Sequence, residues 1–278
     1  VLFASLADGL SKSKNLLLSE DVLASINAIR KFGIRVRLNK KICEIQGKGI
    51  NGYKYKKNLT INLHNSGTLG RLLLGILINT PYPIKLIGDK SLSKRDFKRV
   101  TSPLSKFGAK FILSNGKGLP LRILGSPKLK PINYFENKGS AQCKSSVIFA
   151  GMRSNGLTTI KAKKSRNHTE ILCKYLKLPI SIKKSTRFDE IKIKKVKKIK
   201  ILNYNIPSDI SSSAFFIVLT ALNQNSKLVI KNVNINDSRI GIVHILKKMG
   251  VKIGFKNQKN YKGEKIADII IEGSTSLK

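Results

Sequence analysis

The chain of 278 residues has no tryptophan, three cysteines, three histidines and only 15 acidic residues. Cys43, Cys143 and Cys173 are odd in number, and their spacing fits neither a disulfide framework nor a zinc-ligand pattern. A reduced, cytoplasmic compartment is therefore expected. No apolar run reaches the roughly 18 residues that a membrane span needs. The apolar opening Val1-Leu2-Phe3-Ala4 has no basic stretch before it and no cleavage pattern after it, so it does not read as a signal peptide. A chain that opens on Val1 rather than Met carries the expectation that the natural start lies upstream. Aromatic residues are 6% of the chain, which leaves little material for base-stacking platforms. No nucleophile signature and no cluster of metal ligands stands out.

Positive charge is what abounds. Lys and Arg number 54, for a net charge of +39, and such a balance favours anionic partners. Nucleic acid and small phosphorylated or carboxylated molecules compete for that role. Lys, Ile and Asn, all abundant here, share A/T-rich codons, so base composition accounts for the charge equally well. The most basic stretch, Ile191–Ile201, reads as a half-buried strand with a solvated lysine face. No aromatic residue interleaves with its lysines, and nucleic-acid binding is not expected. Hydrophobic residues, at 41%, suffice for a core.

The strongest internal signal is a repeat. Ala28-Ile-Arg-Lys-Phe-Gly-Ile-Arg-Val36 returns as Pro103–Phe111 and as Ile245–Ile253, with a weaker copy at Tyr175–Ile182. Each reads as a helix end, a stop and a strand start. The stops Gly33, Gly108, Pro179 and Gly250 lie 75, 71 and 71 residues apart. A second element interleaves with it, a small-residue loop opening an apolar helix. Its copies begin at Asn65-Ser-Gly-Thr68, Gly139-Ser-Ala-Gln142 and Ser208-Asp-Ile-Ser211, and run into Leu72–Ile78, Val147–Met152 and Ala214–Leu222. The chain thus holds nearly four units of about 72 residues, each with two helices and several short strands, and a mixed α/β architecture follows. A helix is expected at Glu20–Phe32, capped by Ser19 and stopped by Gly33. Strands are expected at Ile84–Ile87, Ile191–Ile193, Leu228–Ile230 and Ile266–Ile271. Gly47-Lys-Gly-Ile-Asn-Gly52 fits a dinucleotide fingerprint literally, but Tyr53-Lys-Tyr-Lys-Lys57 offers no helical stripe behind it. A hairpin turn is expected there.

The helix starts carry the chemistry. Asn65-Ser66-Gly67-Thr68 opens a helix that includes Arg71, and bare N–H groups beside a residue without Cβ make an anion seat. Ordinary N-capping explains the same residues. Arg95 stands just past the strand Ile84–Ile87, where a guanidinium suits a phosphate or carboxylate, although a solvated arginine is the plainer reading. Ser140-Ala141-Gln142-Cys143-Lys144-Ser145 repeats the loop one unit later. Ser165 and Arg166 are anion donors by type, whereas Thr169 and Glu170 equally suit helix capping. His64, His168 and His244 read as structural or exposed. The residues by themselves support a site for a polyanionic small molecule and no particular reaction.

These loops resemble those of the 5-enolpyruvylshikimate-3-phosphate synthase family. Asn65–Arg71 is similar to its Asn-Ala/Ser-Gly-Thr-x-x-Arg motif, and Gly88–Arg95 to its Gly-Asp-x-Ser-Leu-x-x-Arg motif. Ser140–Ser145 is similar to Ser-Ala-Gln-x-Lys-Ser, and Ser165–Glu170 to Ser-Arg-Asp-His-Thr-Glu. Ile206–Ser212 resembles Val-Pro-Gly-Asp-Ile-Ser-Ser, which includes Asp209, and Asn232–Gly241 resembles Asn-Val-Gly-Ile-Asn-Pro-Thr-Arg-Thr-Gly. Asp96 for Pro, Asn167 for Asp and Ser208 for Gly depart from these patterns. The resemblance implies a two-domain α/β (α+β) fold of six βαβαββ-type units, here residues 1–205 and the start of a second domain at 206–278. It implies transfer of an enolpyruvyl group from phosphoenolpyruvate to the 5-hydroxyl of shikimate 3-phosphate, by a monomer without metal or organic cofactor. By family roles Gly67, Arg95 and Gln142 hold phosphoenolpyruvate, and Ser140, Ala141, Gln142 and Ser165 or Arg166 hold shikimate 3-phosphate. Asn65, Thr68, Arg71, Lys144 and Asp209 support them. The family's substrate-contacting lysine loop is expected before Val1, and its catalytic acid and base after Lys278, so this stretch alone is expected to be inactive. The sister family acting on a UDP-sugar carries a Cys or Asp in an Arg-Ala-rich loop; Lys90–Lys94 has neither.

Overall fold

The computed structural model describes residues 1–273. The first repeat holds α1 (Leu2–Ser5), β1 (Asp8–Lys14), α2 (Glu20–Lys31), β2 (Arg35–Asn39) and β3 (Ile42–Lys48). The second holds β4 (Thr60–Asn62), α3 (Gly67–Ile76), β5 (Ile84–Ile87), α4 (Lys90–Ser93), α5 (Lys98–Ser105), β6 (Lys110–Ser114) and β7 (Gly118–Leu124). The third holds β8 (Asn133–Glu136), α6 (Ala141–Gly151), β9 (Thr158–Lys163), α7 (His168–Tyr175), β10 (Ile180–Lys184) and β11 (Phe188–Ile193). The fourth holds β12 (Asn203–Asn205), α8 (Ile210–Leu222), β13 (Lys227–Asn234), α9 (Gly241–Lys248), β14 (Lys252–Tyr261) and β15 (Glu264–Glu272).

The repeats share one sheet plan. β4 runs parallel to β5, β5 antiparallel to β7, and β7 antiparallel to β6. The order β8-β9-β11-β10 has the same sense. In the first repeat β1, β3 and β2 follow suit, but the parallel edge strand is β12, with Lys12 opposite Asn203. The β13-β15-β14 sheet keeps only a parallel bridge at that edge, Ser208 to Val233.

Local sequence explains the turns. α2 has Glu20 and Asp21 in its first turn and Arg30 and Lys31 in its last, matching the helix dipole at both ends. Ser19 is its N-cap by position but makes no side-chain cap bond. Gly33, Gly108 and Gly250 adopt φ of +77°, +112° and +91°, the left-handed exit that closes a helix without a Cβ penalty. In the third repeat that exit is made by Lys177, at φ 55°. Pro179 lies two residues beyond it, so the stop read from the sequence is displaced.

Two further expectations change. The Gly49–Gly52 turn forms, with the Gly52 N–H donating to Gly49 O at 3.1 Å, but it joins strands of different sheets and is no hairpin. Tyr53 and Tyr55 behind it pack on Phe32, at centroid distances of 4.7 and 5.6 Å. The basic strand stops at Ile193, because the chain leaves the sheet to bury Val196 and Ile199.

The chain divides into two compact units, Val1–Ser165 with Leu176–Asn205, and Arg166–Tyr175 with the chain from Ile206 on. Buried Phe32, Phe97, Phe107 and Phe149 fill the first. Ile210, Ile217, Val233, Val243, Ile269 and Ile271 form the core of the second. α7 is tied to the second unit by polar bonds: Glu264 meets His168 Nδ1 at 2.6 Å and accepts from Asn236 Nδ2 at 3.1 Å, and Asn236 donates to Asn167 at 2.9 Å. Burial pushes the Glu264 carboxyl up, but the bonds from His168, Asn236 and Asn234 outweigh it and hold the group below its usual value.

Asp268 accepts from the Asn232 N–H at 2.8 Å, Asn257 Nδ2 at 2.9 Å and Lys231 Nζ at 3.0 Å. These bonds, the Asn232 N–H foremost, hold its pKa at about 2, against about 3.9 in an unfolded chain. A carboxylate with the lower value in the folded state stabilises fully above its unfolded pKa and loses that contribution as pH falls toward the folded one. The second unit should therefore melt at progressively lower temperature from about pH 4.5 to pH 2.5. Asp268→Asn should flatten part of that slope, with Glu264 supplying the rest. An Asp268→Asn protein whose melting temperature keeps the full acid slope would show that these bonds do not set it.

Candidate functional site

In each four-stranded sheet of the first unit, two parallel strands end side by side. Asn62 of β4 pairs with Ile87 of β5, and Glu136 of β8 pairs with Ala162 of β9. The loops leaving those ends are 63–66, 88–89, 137–140 and 164–165. They carry the donors read from the sequence, at the carboxyl ends of parallel strands where α/β sheets commonly bind ligands.

The loop after β4 is built by capping. Ser66 Oγ accepts from the Leu69 N–H at 3.1 Å and donates to Asp21 on α2. Asn65 donates to Asp89 at 2.6 Å, while Asp89 caps α4 by accepting from the Leu92 N–H at 2.6 Å. One carboxylate thus fixes both loops. Arg95 Nη2 reaches Asn65 Oδ1 at 3.5 Å. A Cβ on Gly67 would stand 3.0 Å from Arg71 Nη1 and 3.4 Å from Arg95 Nη1, so the bare start of α3 faces two guanidiniums.

The loop after β8 meets this cluster because α3 and α6 pack closely. A Cβ on Gly75 would stand 2.1 Å from Ser146 O, and Ser146 Oγ donates to Arg71 O at 2.7 Å. That contact brings Gln142 to Arg71. Gln142 Oε1 accepts from Arg71 Nη1 at 2.7 Å, and its Nε2 donates to Thr68 Oγ1 at 2.9 Å. The amide orientation is thereby set. Burial lowers the pKa of Arg71, with the charges of Arg99 and Arg95 adding to that effect. Three arginines gathered this closely are a field for a multiply charged anion.

Ser140 caps α6 through the Cys143 N–H at 3.3 Å. The loop before it is held by buried Glu136, which accepts from the N–H groups of Lys138 and Ser140 at 3.1 and 2.9 Å. Lys164 O lies 3.4 Å from where a Cβ on Gly139 would stand, so the Ser140 and Ser165 loops adjoin. Ser165 Oγ is buried with no hydrogen-bond partner among the described residues. Arg166 is exposed and belongs to the second unit. Lys144 lies inside α6 at 1% exposure, not on the loop surface. In the second unit Asp209 caps α8 through the Ser212 N–H at 2.9 Å, and Arg239 donates to Asp209 at 2.7 Å and to Ser211 at 2.6 Å.

The structure thus brings together Asn65, Gly67, Thr68, Arg71, Arg95 and Gln142, and places Ser140, Ala141 and Ser165 on adjoining loops. Sequence reading missed Asp21, Asp89, Glu136 and Arg239. Asp89 lies inside a motif already singled out. Arg239 lies inside another, Asn232–Gly241, whereas Asp21 and Glu136 hold their loops with nothing in their own neighbourhood to mark them. The three cysteines are free and buried. Among the described residues no three His, Cys, Asp or Glu side chains gather as a metal site, and no helix is long and apolar enough to cross a membrane.

The model of the EPSP synthase (3-phosphoshikimate 1-carboxyvinyltransferase) family matches residues 1–275. The 3-phosphoshikimate 1-carboxyvinyltransferase of Bacillus subtilis (strain 168) is 38% identical over 277 residues, which are 99% of this chain and 63% of that protein. That of Caldicellulosiruptor bescii is 40% identical over 278 residues, with the same coverage. A solved structure of EPSP synthase from Acinetobacter baumannii superposes with a TM-score of 0.89 at 34% identity, covering 100% of this chain and 62% of that one. The chain spans about 63% of the length of the curated relatives it matches. A shared sheet plan in every repeat, the ordered loop motifs and a family match from the first residue to near the last lead to one assignment: the chain belongs to the EPSP synthase family.

Proposed function

We propose that this chain supplies substrate-holding loops for enolpyruvyl transfer from phosphoenolpyruvate to the 5-hydroxyl of shikimate 3-phosphate, a step toward chorismate and the aromatic amino acids. The observation that carries the reading is the meeting of Gly67, Arg95, Arg71 and the oriented Gln142 amide where parallel strands end. Gly67, Arg95 and Gln142 would grip phosphoenolpyruvate. Ser140, Ala141, Gln142 and Ser165 would take shikimate 3-phosphate, with the unpartnered Ser165 hydroxyl donating to its phosphate. We read residues 1–205 as a domain of three repeats and residues 206–278 as the beginning of another, in a cytoplasmic monomer that uses no cofactor.

The carboxylates beside the cluster are committed to holding loops. Asp21 binds Ser66, Asp89 binds Asn65 and Leu92, Asp96 binds the Lys98 N–H, and Glu136 binds its own loop. None stands ready to act as general acid or base. Residues 1–278 alone should therefore bind shikimate 3-phosphate in calorimetry and release no phosphate from phosphoenolpyruvate. Turnover within about tenfold of a typical 10 per second would show that catalytic groups lie among these residues. Absence of any binding would count against the site.

A further inference from the structure

We propose that the outer face of the β10-β11-β9-β8 sheet is a binding surface for single-stranded nucleic acid, independent of the transferase reading. The expectation against nucleic acid rested on the absence of aromatics among the lysines along the chain. Strand pairing supplies them from elsewhere. Phe135 of β8 lies opposite Lys161 of β9, and Phe188 of β11 lies opposite Lys163 of β9. The two rings stand 5.2 Å apart, with Lys161 Nζ at 5.8 Å from one centroid and 5.3 Å from the other.

The pleat separates this face from the core. Ile160, Ala162, Ile191 and Ile193 point inward and are buried. On the outward face Phe135 is 52% exposed, and it has no aliphatic neighbours there of the kind that a membrane or an apolar partner would bury. Its surroundings are lysines. Lys161, Lys163, Lys183 and Lys192 share the face with a single acid, Glu190, which lies opposite both Lys161 and Lys183. Four positive charges against one, interspersed with ring faces, meet the two needs of a single-stranded polynucleotide: phosphate neutralisation and a π-surface for the bases. An acidic peptide would satisfy the lysines and leave Phe135 without a partner.

The test uses the whole chain and fluorescein-labelled oligo-dT and oligo-U of about 12 nucleotides, in about 50 mM salt. Binding should be visible by anisotropy at micromolar protein. Phe135→Ala should weaken it by about 5- to 150-fold, the cost of losing one base-stacking side chain. Lys161→Glu with Lys163→Glu should lower the slope of log affinity against log salt by about 1.4, the value for two lost phosphate contacts to a single strand. Lys40→Glu with Lys41→Glu, on the turn between β2 and β3, serves as the control for bulk charge. Phe135→Trp places a lone indole in a chain that otherwise has none. Its emission should be quenched by either oligonucleotide and left unchanged by heparin or poly-glutamate, which have no bases. A unique response to oligo-dT or to oligo-U would tell which strand chemistry the face prefers, and either supports the proposal. No binding at about 100 μM protein would overturn it. So would equal affinities of Phe135→Ala and wild type, equal losses in the control pair and the Lys161/Lys163 pair, or an indole that responds to heparin as it does to the oligonucleotides.

Discussion

Arg95→Ala should weaken phosphoenolpyruvate use by about 10- to 150-fold, whereas Lys94→Ala should cost less than about fivefold. Both residues are cations at the end of α4, one residue apart, and both are exposed. Charge count alone predicts equal effects. Geometry predicts otherwise: the Arg95 guanidinium stands against Gly67 at the start of α3 and reaches Asn65. Loss of one hydrogen bond to a charged group costs about 1.5–3 kcal/mol, while an exposed, screened lysine contributes less than about 1 kcal/mol. Steady-state kinetics with the protein expressed from its whole gene, together with direct titration of each substrate, would separate the two. Arg95→Lys should recover only part of the loss, because an ammonium cannot present the planar fork. Equal effects at positions 94 and 95 would remove Arg95 from the site.

Gly75→Ala should destabilise the first unit and disturb its site together. A methyl group there would stand 2.1 Å from Ser146 O on α6, and backbone cannot step aside as a side chain can. α3 and α6 would have to separate. Forcing atoms into a packed core costs about 1–3 kcal/mol, and for a unit of this size each kcal/mol lowers the melting temperature by about 2–4 °C. A drop of about 2–12 °C is expected in thermal unfolding. Separation would also stretch the Arg71–Gln142 bond of 2.7 Å, so ligand affinity should fall even well below the melting temperature. Gly254→Ala is the control, since nothing lies within 4 Å of the added methyl group. A Gly75→Ala protein as stable as that control would show that the helices have room to spare.

How far the sequence could be read follows from the range of the forces involved. α2, β5 and the helix openings at Ser66, Ser140 and Asp209 were visible because capping and periodicity act within a few residues. The left-handed exits at Gly33, Gly108 and Gly250 were visible for the same reason. The third copy misled because Lys177 takes the left-handed conformation that glycine takes elsewhere, and the nearby Pro179 was the more conspicuous stop. Ile191–Ile201 misled because alternation continues past Ile193 in the sequence while Val196 and Ile199 are buried outside any strand. The brace from Asp21 to Ser66 spans 45 residues and has no local signature. The Phe135, Lys161 and Phe188 cluster is drawn from three strands, so no window of sequence contains it.

The pairing of β1 with β12 also fixes a timetable. Lys12 waits for Asn203, 191 residues later, before its sheet is complete. At about 5–20 residues per second, the ribosome takes roughly 10–40 s to make that stretch. Throughout this interval one edge of β1 keeps its N–H and C=O groups unpaired, and such an edge is a template for joining strands of other chains. The first sheet to be synthesised is the last of the first three to close, and nascent chains on neighbouring ribosomes are most exposed to mispairing at β1.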